Sequence, residues 1–241
     1  IGSNFYGAMT YYILSPIMLI LLILFPVNSV PYLFIFAFII KQQLAAIFMY
    51  KFLQKLNFKK VTCIVIGLLW ACNSYFIHYA DNPMWLDAMY LLPLIFIGIE
   101  NIRENNKFLI FTIAIAISAI SNYYLFFSLT IFVFIYIIIM YIIRNIQFNI
   151  KDFIMYMIKI TGYYLIGVMI SAIVLIPAVL AIKESARTGG MMLPSILEFD
   201  FEFLKSSLKS MYFNTSNSFN VVYKSEAMLY SGSIVILLIP L

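Results

Sequence analysis

Thirty-six consecutive residues, from position 108 to position 143, carry no charged side chain. A run this long and apolar exceeds the roughly 20 residues that one membrane crossing needs. The whole chain has the same character: 64% of its 241 residues are hydrophobic and 10% are charged, against roughly 25% charged residues in a soluble domain. The mean hydropathy is +1.01. The sequence therefore predicts an all-α polytopic membrane protein and excludes a soluble globular enzyme.

The apolar runs predict about seven membrane segments in a single transmembrane domain, residues 1–241. A polar break at residues 121–124 divides the long run into two segments. Residues 12–25 are shorter and contain Pro16, so they predict a short re-entrant or interfacial helix. Asn82 and Pro83 suit the cap and the first position of a helix. The remaining predicted segments are residues 31–52, 61–79, 84–101, 153–182 and 230–241.

The distribution of basic residues predicts the orientation of these segments. The turns on one side contain Lys51, Lys55, Lys59 and Lys60, then Arg103 and Lys107, then Arg144 and Lys151. The turns on the other side, at residues 27–30, 80–83 and 121–124, contain no Lys or Arg. Because short loops rich in Lys and Arg stay in the cytoplasm, the first set is predicted to be cytoplasmic. The same rule accounts for the net charge of +5, which therefore does not indicate a nucleic-acid partner.

Residues 183–228 are predicted to form a long extracytoplasmic loop that contains an amphipathic helix. Its apolar residues recur at the spacing of one helix face: Leu197, Phe201, Leu204, Leu208 and Met211. An interfacial helix on the outer leaflet is one interpretation. A lid over an outward-facing pocket is the other.

The chemistry of this chain is expected at polar groups within the membrane, because such groups are costly there and mark functional sites. Lys41 lies near the middle of a predicted span. It either holds a lipid phosphate or a polar substrate, or forms a structural ion pair, for which Asp87 is the proposed partner. Asp87 is a candidate site carboxylate, with Asp81 in the turn above it, although a helix N-terminus also stabilises a carboxylate. A single histidine, His78, makes a histidine-based metal site or triad implausible.

Four further residues are candidates for contacts with a sugar or a phosphate. Asn73, Asn122 and Tyr123 cluster toward the predicted outer ends of their helices, where they would bind sugar hydroxyls or serve as interhelical and interfacial contacts. Arg187 follows the last long span, where its guanidinium suits phosphate recognition. Headgroup anchoring is the alternative for Arg187.

Several short motifs, taken in order, resemble the YfhO-type bacterial membrane proteins. The most specific is Asn82-Pro83-Met84-Trp85-Leu86-Asp87 with Leu92-Pro93-Leu94 and Gly98-Ile99-Glu100 after it. The other matching motifs are Ile1-Gly2-Ser3-Asn4-Phe5, Tyr11-Tyr12, Leu14-Ser15-Pro16, Phe25-Pro26, Ser121-Asn122-Tyr123-Tyr124, Ile176-Pro177 and Leu229-Tyr230-Ser231-Gly232, together with Lys41. The resemblance covers essentially the whole chain. It implies a GT-C-like glycosyltransferase that uses a polyprenyl-phosphate sugar on the outer face of the bacterial cytoplasmic membrane.

The resemblance also implies that a first membrane helix and an acidic outer loop precede Ile1, so that the sequence is a fragment and a further catalytic carboxylate lies upstream. Within the sequence, Asp87 is the catalytic candidate. Lys41 and Arg187 would contact the carrier phosphate, Asp81 would orient the acceptor or a divalent cation, and Asn73, Asn122 and Tyr123 would line the sugar pocket. The acceptor is expected to be an envelope glycopolymer, such as lipoteichoic acid, or a lipid. The alternatives are a transporter or flippase for a lipid-linked sugar and a non-catalytic envelope-assembly protein.

Overall fold

The structure, a computed structural model, describes residues 14–144 and 149–183. Within these residues the chain folds into α-helices and two 3₁₀ turns. The helices are α1 (Pro16–Leu24), α2 (Val30–Lys55), α3 (Lys60–Ala71), α4 (Ser74–His78), α5 (Asp87–Asn105), α6 (Leu109–Ser121), α7 (Tyr123–Arg144) and α8 (Ile150–Lys183). The 3₁₀ turns are Val27–Ser29 and Pro83–Trp85. Arg187, the predicted amphipathic helix and the predicted segment at residues 230–241 lie outside the described residues.

The described helices form an all-α membrane bundle. Five stretches are long and apolar enough to cross a membrane: Val30–Lys55, Lys60–His78, Pro83–Asn105, Tyr123–Arg144 and Ile150–Pro177. Helix α6 is apolar but shorter. Helix α1 has nine residues and is about 14 Å long at 1.5 Å per residue, which is too short to cross the bilayer. This length agrees with the prediction of a short, non-crossing helix before the first span.

The polar break predicted inside the long apolar run is present. Helix α6 ends at Ser121 and α7 begins at Tyr123. Asn122 between them has an extended backbone, with φ −160° and ψ 103°, and its Oδ1 accepts hydrogen bonds from the backbone N–H groups of Tyr124 and Leu125. The side chain therefore caps the new helix, which explains why the chain breaks at this residue.

The predicted span at residues 61–79 is present as the stretch Lys60–His78, but it is not one continuous helix. The chain breaks at Cys72 and Asn73, and α4 starts at Ser74. The reason is again a cap: the Asn73 side chain accepts a hydrogen bond from the backbone N–H of Phe76. An asparagine followed by serine is a good helix start even inside an apolar run.

The start of the next span also differs from the prediction. Pro83 does begin a helical turn, but that turn is the 3₁₀ turn Pro83–Trp85, and α5 starts at Asp87. The Asn82 side chain makes no capping hydrogen bond, so the prediction that it caps this helix is wrong. A 3₁₀ turn places its carbonyl groups differently from an α-helix, and the Pro83 carbonyl is used by a side chain of α2, as described below.

Helices α2 and α5 run side by side in the same direction. Phe52 packs on Phe96 with ring centroids 5.1 Å apart, and Phe48 packs on Tyr90 at 6.5 Å. Near the ends of both helices, Lys55 Nζ lies 2.6 Å from Glu104 Oε2. In this register the first residues of α5 lie beside the middle of α2, about 16 Å along the axis from the start of α2. The Pro83 carbonyl, just before α5, therefore lies within reach of the Lys41 side chain.

Two glycines allow α5, α6 and α8 to pack closely. A Cβ atom on Gly98 of α5 would lie 2.6 Å from the backbone N and Cα of Phe111 in α6. A Cβ atom on Gly167 of α8 would lie 2.8 Å from the carbonyl oxygen of Thr112. Small residues at such crossings let helix backbones approach each other within a membrane.

The helix ends that carry the basic turns lie together. Lys55 at the end of α2 pairs with Glu104, and Arg144 at the end of α7 pairs with Glu100 of α5. We call this end of the bundle the basic end, and the end that carries the turns at residues 27–30, 80–83 and 121–124 the opposite end. The positive-inside rule predicts that the basic end is cytoplasmic.

Candidate functional site

Lys41 is fully buried in the interior of α2 and its ammonium group has three polar neighbours. Nζ donates hydrogen bonds to Ser15 Oγ at 2.8 Å and to the Pro83 carbonyl oxygen at 2.6 Å. It also lies 2.8 Å from Asp87 Oδ1. Two of the three N–H donors of the ammonium are therefore hydrogen-bonded, and Asp87 lies at ion-pair distance from the same group. The ion pair that the sequence proposed as the structural alternative for Lys41 is present.

Asp87 is the first residue of α5, and its side chain is 1% exposed. The partial positive charge of the helix N-terminus favours a carboxylate at this position. The hydroxyl groups of Ser15 and Tyr90 lie next to the carboxylate, but neither carboxylate oxygen accepts a hydrogen bond of good geometry within the described residues. The Asp87 carboxylate therefore retains capacity to accept hydrogen bonds although its side chain is buried.

We call Ser15, Lys41, Pro83 and Asp87 the Lys41–Asp87 centre. Its members come from the residue before α1, the middle of α2, the 3₁₀ turn and the start of α5. Charged groups are costly at membrane depth unless they are paired, and a buried acceptor without a hydrogen bond adds to that cost. Such a group is a candidate for ligand binding or catalysis. Arg187, also proposed for this site, lies outside the described residues.

The two asparagines proposed as sugar ligands both act as helix caps through their side-chain oxygens. Asn73 caps α4 and Asn122 caps α7. Asn122 is 2% exposed, and its Nδ2 group is buried without a hydrogen-bond partner in the described part of the chain. Asn122 therefore retains two N–H donors that the cap does not use.

The other residues proposed for the site lie toward the opposite end. Asp81 is exposed in the turn before Pro83, and Tyr123 is half-buried as the first residue of α7. His78 is exposed at the end of α4, with its ring edge against the Tyr79 ring at 4.7 Å. Among the described residues, no three His, Cys, Asp or Glu side chains lie close enough together to hold a metal ion.

A second polar centre, at the basic end, was not predicted from the sequence. Glu100 of α5 is fully buried and pairs with Arg144 at 2.7 Å and with Arg103 at 2.9 Å. Arg103 follows Glu100 by three residues, a spacing at which oppositely charged side chains pair on one face of a helix. Arg144 is 44 residues away, so its part in the centre depends on the tertiary packing of α7 against α5.

The fold and these buried charges define a polytopic helical membrane protein with ionic groups inside its bundle. The chain belongs to the YfhO family: the family model described as "Bacterial membrane protein YfhO" matches residues 1–241. This match confirms the resemblance seen in the sequence motifs. No curated protein and no solved structure matches the chain.

Proposed function

We propose that this YfhO-family protein is a membrane glycosyltransferase. It transfers a sugar from a polyprenyl-phosphate carrier to a cell-envelope glycopolymer or lipid on the outer face of the bacterial cytoplasmic membrane. Family membership supports a role in a bacterial membrane. The observation that carries the proposal is the buried Asp87 carboxylate, which has unused acceptor capacity next to a buried cation.

In this proposal Asp87 acts as the general base. The acceptor hydroxyl oxygen attacks the anomeric carbon of the sugar and gives its proton to Asp87. The bond between that carbon and the phosphate oxygen breaks, and the polyprenyl phosphate leaves with the bonding electrons. A carboxylate suits this task when it lies within hydrogen-bond reach of the proton that it abstracts. The Asp87 side chain is 1% exposed, so the acceptor hydroxyl reaches it only after a local rearrangement of the bundle, and bulk water, which would otherwise compete as the acceptor, is excluded.

Lys41 is proposed to stabilise the carrier phosphate. Two of its N–H groups donate to Ser15 and Pro83, and the ammonium pairs with Asp87, so the phosphate would have to replace one of these neighbours. Ser15 is the neighbour most easily replaced, because its hydroxyl can rotate and donate instead of accepting. Displacement of Ser15 would leave the Lys41–Asp87 ion pair intact while the negative phosphate binds.

The remaining residues have supporting roles in the proposal. Asp81 orients the acceptor or a divalent cation in the exposed turn, and Arg187 contacts the carrier phosphate. Asn73, Asn122 and Tyr123 line the sugar pocket. The buried Nδ2 group of Asn122 favours Asn122 most among these three, because a sugar hydroxyl would satisfy a donor that has no partner in the described residues.

A transfer assay with the full-length protein tests this function. The protein is reconstituted in vesicles with polyprenyl-phosphate [14C]glucose, galactose or N-acetylglucosamine and with an envelope glycopolymer fraction. The proposal expects the label to move to the polymer for one of these donors, and expects Asp87→Asn to abolish this movement. If the labelled lipid crosses the bilayer without being cleaved, the transporter alternative is correct. If the label neither moves nor crosses, the assembly-protein alternative is favoured.

A further inference from the structure

A cavity of about 250 Å³ lies at the basic end, between α5, α7 and α8. Its polar lining includes Glu100, Arg103, Arg144, Lys159, Tyr141 and Tyr156. We propose that this cavity binds a phosphate group, either that of an anionic phospholipid headgroup or that of a soluble phosphate compound. This site is separate from the Lys41–Asp87 centre, and the inference does not depend on glycosyltransferase activity.

The buried Glu100 carboxylate holds two guanidinium groups at the cavity. Arg144 Nη1 donates to Glu100 Oε1 at 2.7 Å and to Oε2 at 2.8 Å. Arg103 Nε donates to Oε2 at 3.0 Å, and Arg103 Nη2 lies 2.9 Å from the same oxygen. A guanidinium has five N–H donors, so these contacts fix both groups while leaving some of their N–H donors for a ligand. Glu100 is therefore a positioning residue in this proposal.

The cations that line the cavity outnumber its carboxylates. Among the described residues, three that line it are basic (Arg103, Arg144 and Lys159), whereas Glu100 is the one acidic lining residue. Glu104, on the next turn, is close to both Lys55 at 2.6 Å and Arg103 at 3.4 Å. Counting Lys55 with Glu104 leaves the cavity with a surplus of two positive charges. A cluster that served only to neutralise Glu100 would not need this surplus.

Lys159 is the most informative of these cations. It is half-buried on α8 and lines the cavity, and it makes no hydrogen bond or ion pair with any residue in the described ranges. A half-buried ammonium that has no partner among the described residues favours an anion beside it. Phosphate fits this set of ligands, because guanidinium forks and an ammonium are the groups that bind phosphate oxygens in proteins.

The surroundings of the cavity favour a lipid as the source of the phosphate. The basic end is predicted to face the cytoplasmic leaflet, where anionic lipids collect and basic pockets between membrane helices bind their headgroups. Several neighbours of the lining residues along α7 and α8 have exposed apolar side chains, which suit contact with acyl chains. These include Ile139, Ile142, Ile143, Ile154 and Ile158. The volume is slightly below that of pockets for drug-sized ligands, which suits a headgroup.

Thermal unfolding of the purified full-length protein tests the proposal with two probes. One probe is phosphatidylglycerol added to detergent micelles, compared with phosphatidylcholine. The other is sodium phosphate, compared with sodium chloride at equal ionic strength. Each probe is titrated against the wild type, Lys159→Gln, Lys159→Arg and the control Lys151→Gln. Lys151 is exposed two turns earlier on α8 and does not line the cavity.

The proposal expects phosphatidylglycerol to raise the unfolding temperature of the wild type and of Lys151→Gln. Lys159→Gln should bind the lipid roughly fivefold more weakly, which is the loss expected from one basic residue near the membrane surface. Lys159→Arg should restore most of this affinity. If sodium phosphate alone produces the same pattern, the ligand is a soluble phosphate compound. The proposal is overturned if neither probe stabilises the wild type, or if Lys159→Gln binds both probes as Lys151→Gln does.

Discussion

Lys41 and Asp87 form an ion pair in the interior of the bundle, with Nζ 2.8 Å from Oδ1 and both side chains almost completely buried. The pair joins the middle of α2 to the first residue of α5, which is possible because α5 begins at that depth. Replacing a buried pair by apolar residues is often tolerated, whereas removing one partner leaves an uncompensated charge. The pair therefore has to be tested by removing both charges as well as each one alone.

The two glutamates at the end of α5 should contribute very differently to stability. Glu100→Gln removes the buried carboxylate that accepts from two partly exposed guanidinium groups, and should reduce the free energy of unfolding by about 1.5–3 kcal/mol, the range for hydrogen bonds to a charged group. Glu104→Gln removes partly exposed pairs with Lys55 and Arg103 and should cost less than about 1 kcal/mol. Thermal unfolding of both variants in the same detergent measures the difference. Similar losses for the two variants would show that the buried cluster is not a major source of stability.

A methyl group at Gly98 should loosen the packing of α5 on α6. Gly98→Ala places a Cβ 2.6 Å from the Phe111 backbone, and overpacking of this kind costs about 1–3 kcal/mol. Gly162→Ala is the matched control, because nothing lies within 4 Å of the new Cβ and alanine is the better helix former. Fluorescence-detected gel filtration after heating should show lower stability for Gly98→Ala and unchanged or higher stability for Gly162→Ala. Equal behaviour of the two would contradict the close contact.

Replacement of Asn122 by serine separates its capping role from its proposed role in sugar binding. Serine also caps a helix well, so Asn122→Ser keeps an oxygen for the Tyr124 and Leu125 amides and loses the Nδ2 group. We expect near-normal protein abundance and at least a tenfold loss of sugar transfer. Asn73→Ser is the comparison at the other capping asparagine, and it should lower transfer less, because the Asn73 side chain is only half-buried. Normal transfer by Asn122→Ser would limit Asn122 to its role as a cap.

The orientation of the bundle can be measured by labelling single cysteines in a protein whose own Cys63 and Cys72 are replaced by alanine. Ala80 and Asn105 are exposed and lie at opposite ends of the bundle. An impermeant thiol reagent added to intact cells should label Ala80→Cys and should reach Asn105→Cys only after the cells are opened. The reverse pattern would place the basic end outside the cell and would move the proposed phosphate site to the outer leaflet.

Much of the fold follows from local features of the sequence. The apolar runs predict the spans, and the four polar residues at 121–124 predict the break between α6 and α7 because Asn122 caps a helix inside an apolar run. The same reasoning applies to Cys72-Asn73-Ser74, but this polar group is shorter and lies inside the predicted span at residues 61–79. Helix breaks that depend on one capping side chain are difficult to recognise when their neighbours are apolar.

The candidate site could be predicted only in part. A lysine at membrane depth requires a partner, and this requirement led to Asp87. The Pro83 carbonyl could not be predicted as a partner, since every residue has such a group and only the 3₁₀ turn directs this one at Lys41. The pairing of Glu100 with Arg144 could not be predicted, because it depends on the packing of α7 against α5.

The central claim is that the Lys41–Asp87 centre acts on a substrate and does not serve only to stabilise the fold. The most direct test compares Lys41→Met, Asp87→Asn and the double variant in the full-length protein. Membrane abundance and envelope glycosylation are measured in the same cells. Each single variant should lower abundance, because each leaves one charge buried without its partner. The double variant should regain near-normal abundance. It should still show less than about a tenth of wild-type glycosylation per molecule, which corresponds to a loss of at least about 1.4 kcal/mol in transition-state stabilisation. Recovery of glycosylation together with abundance in the double variant would show that the pair is structural and would contradict this account.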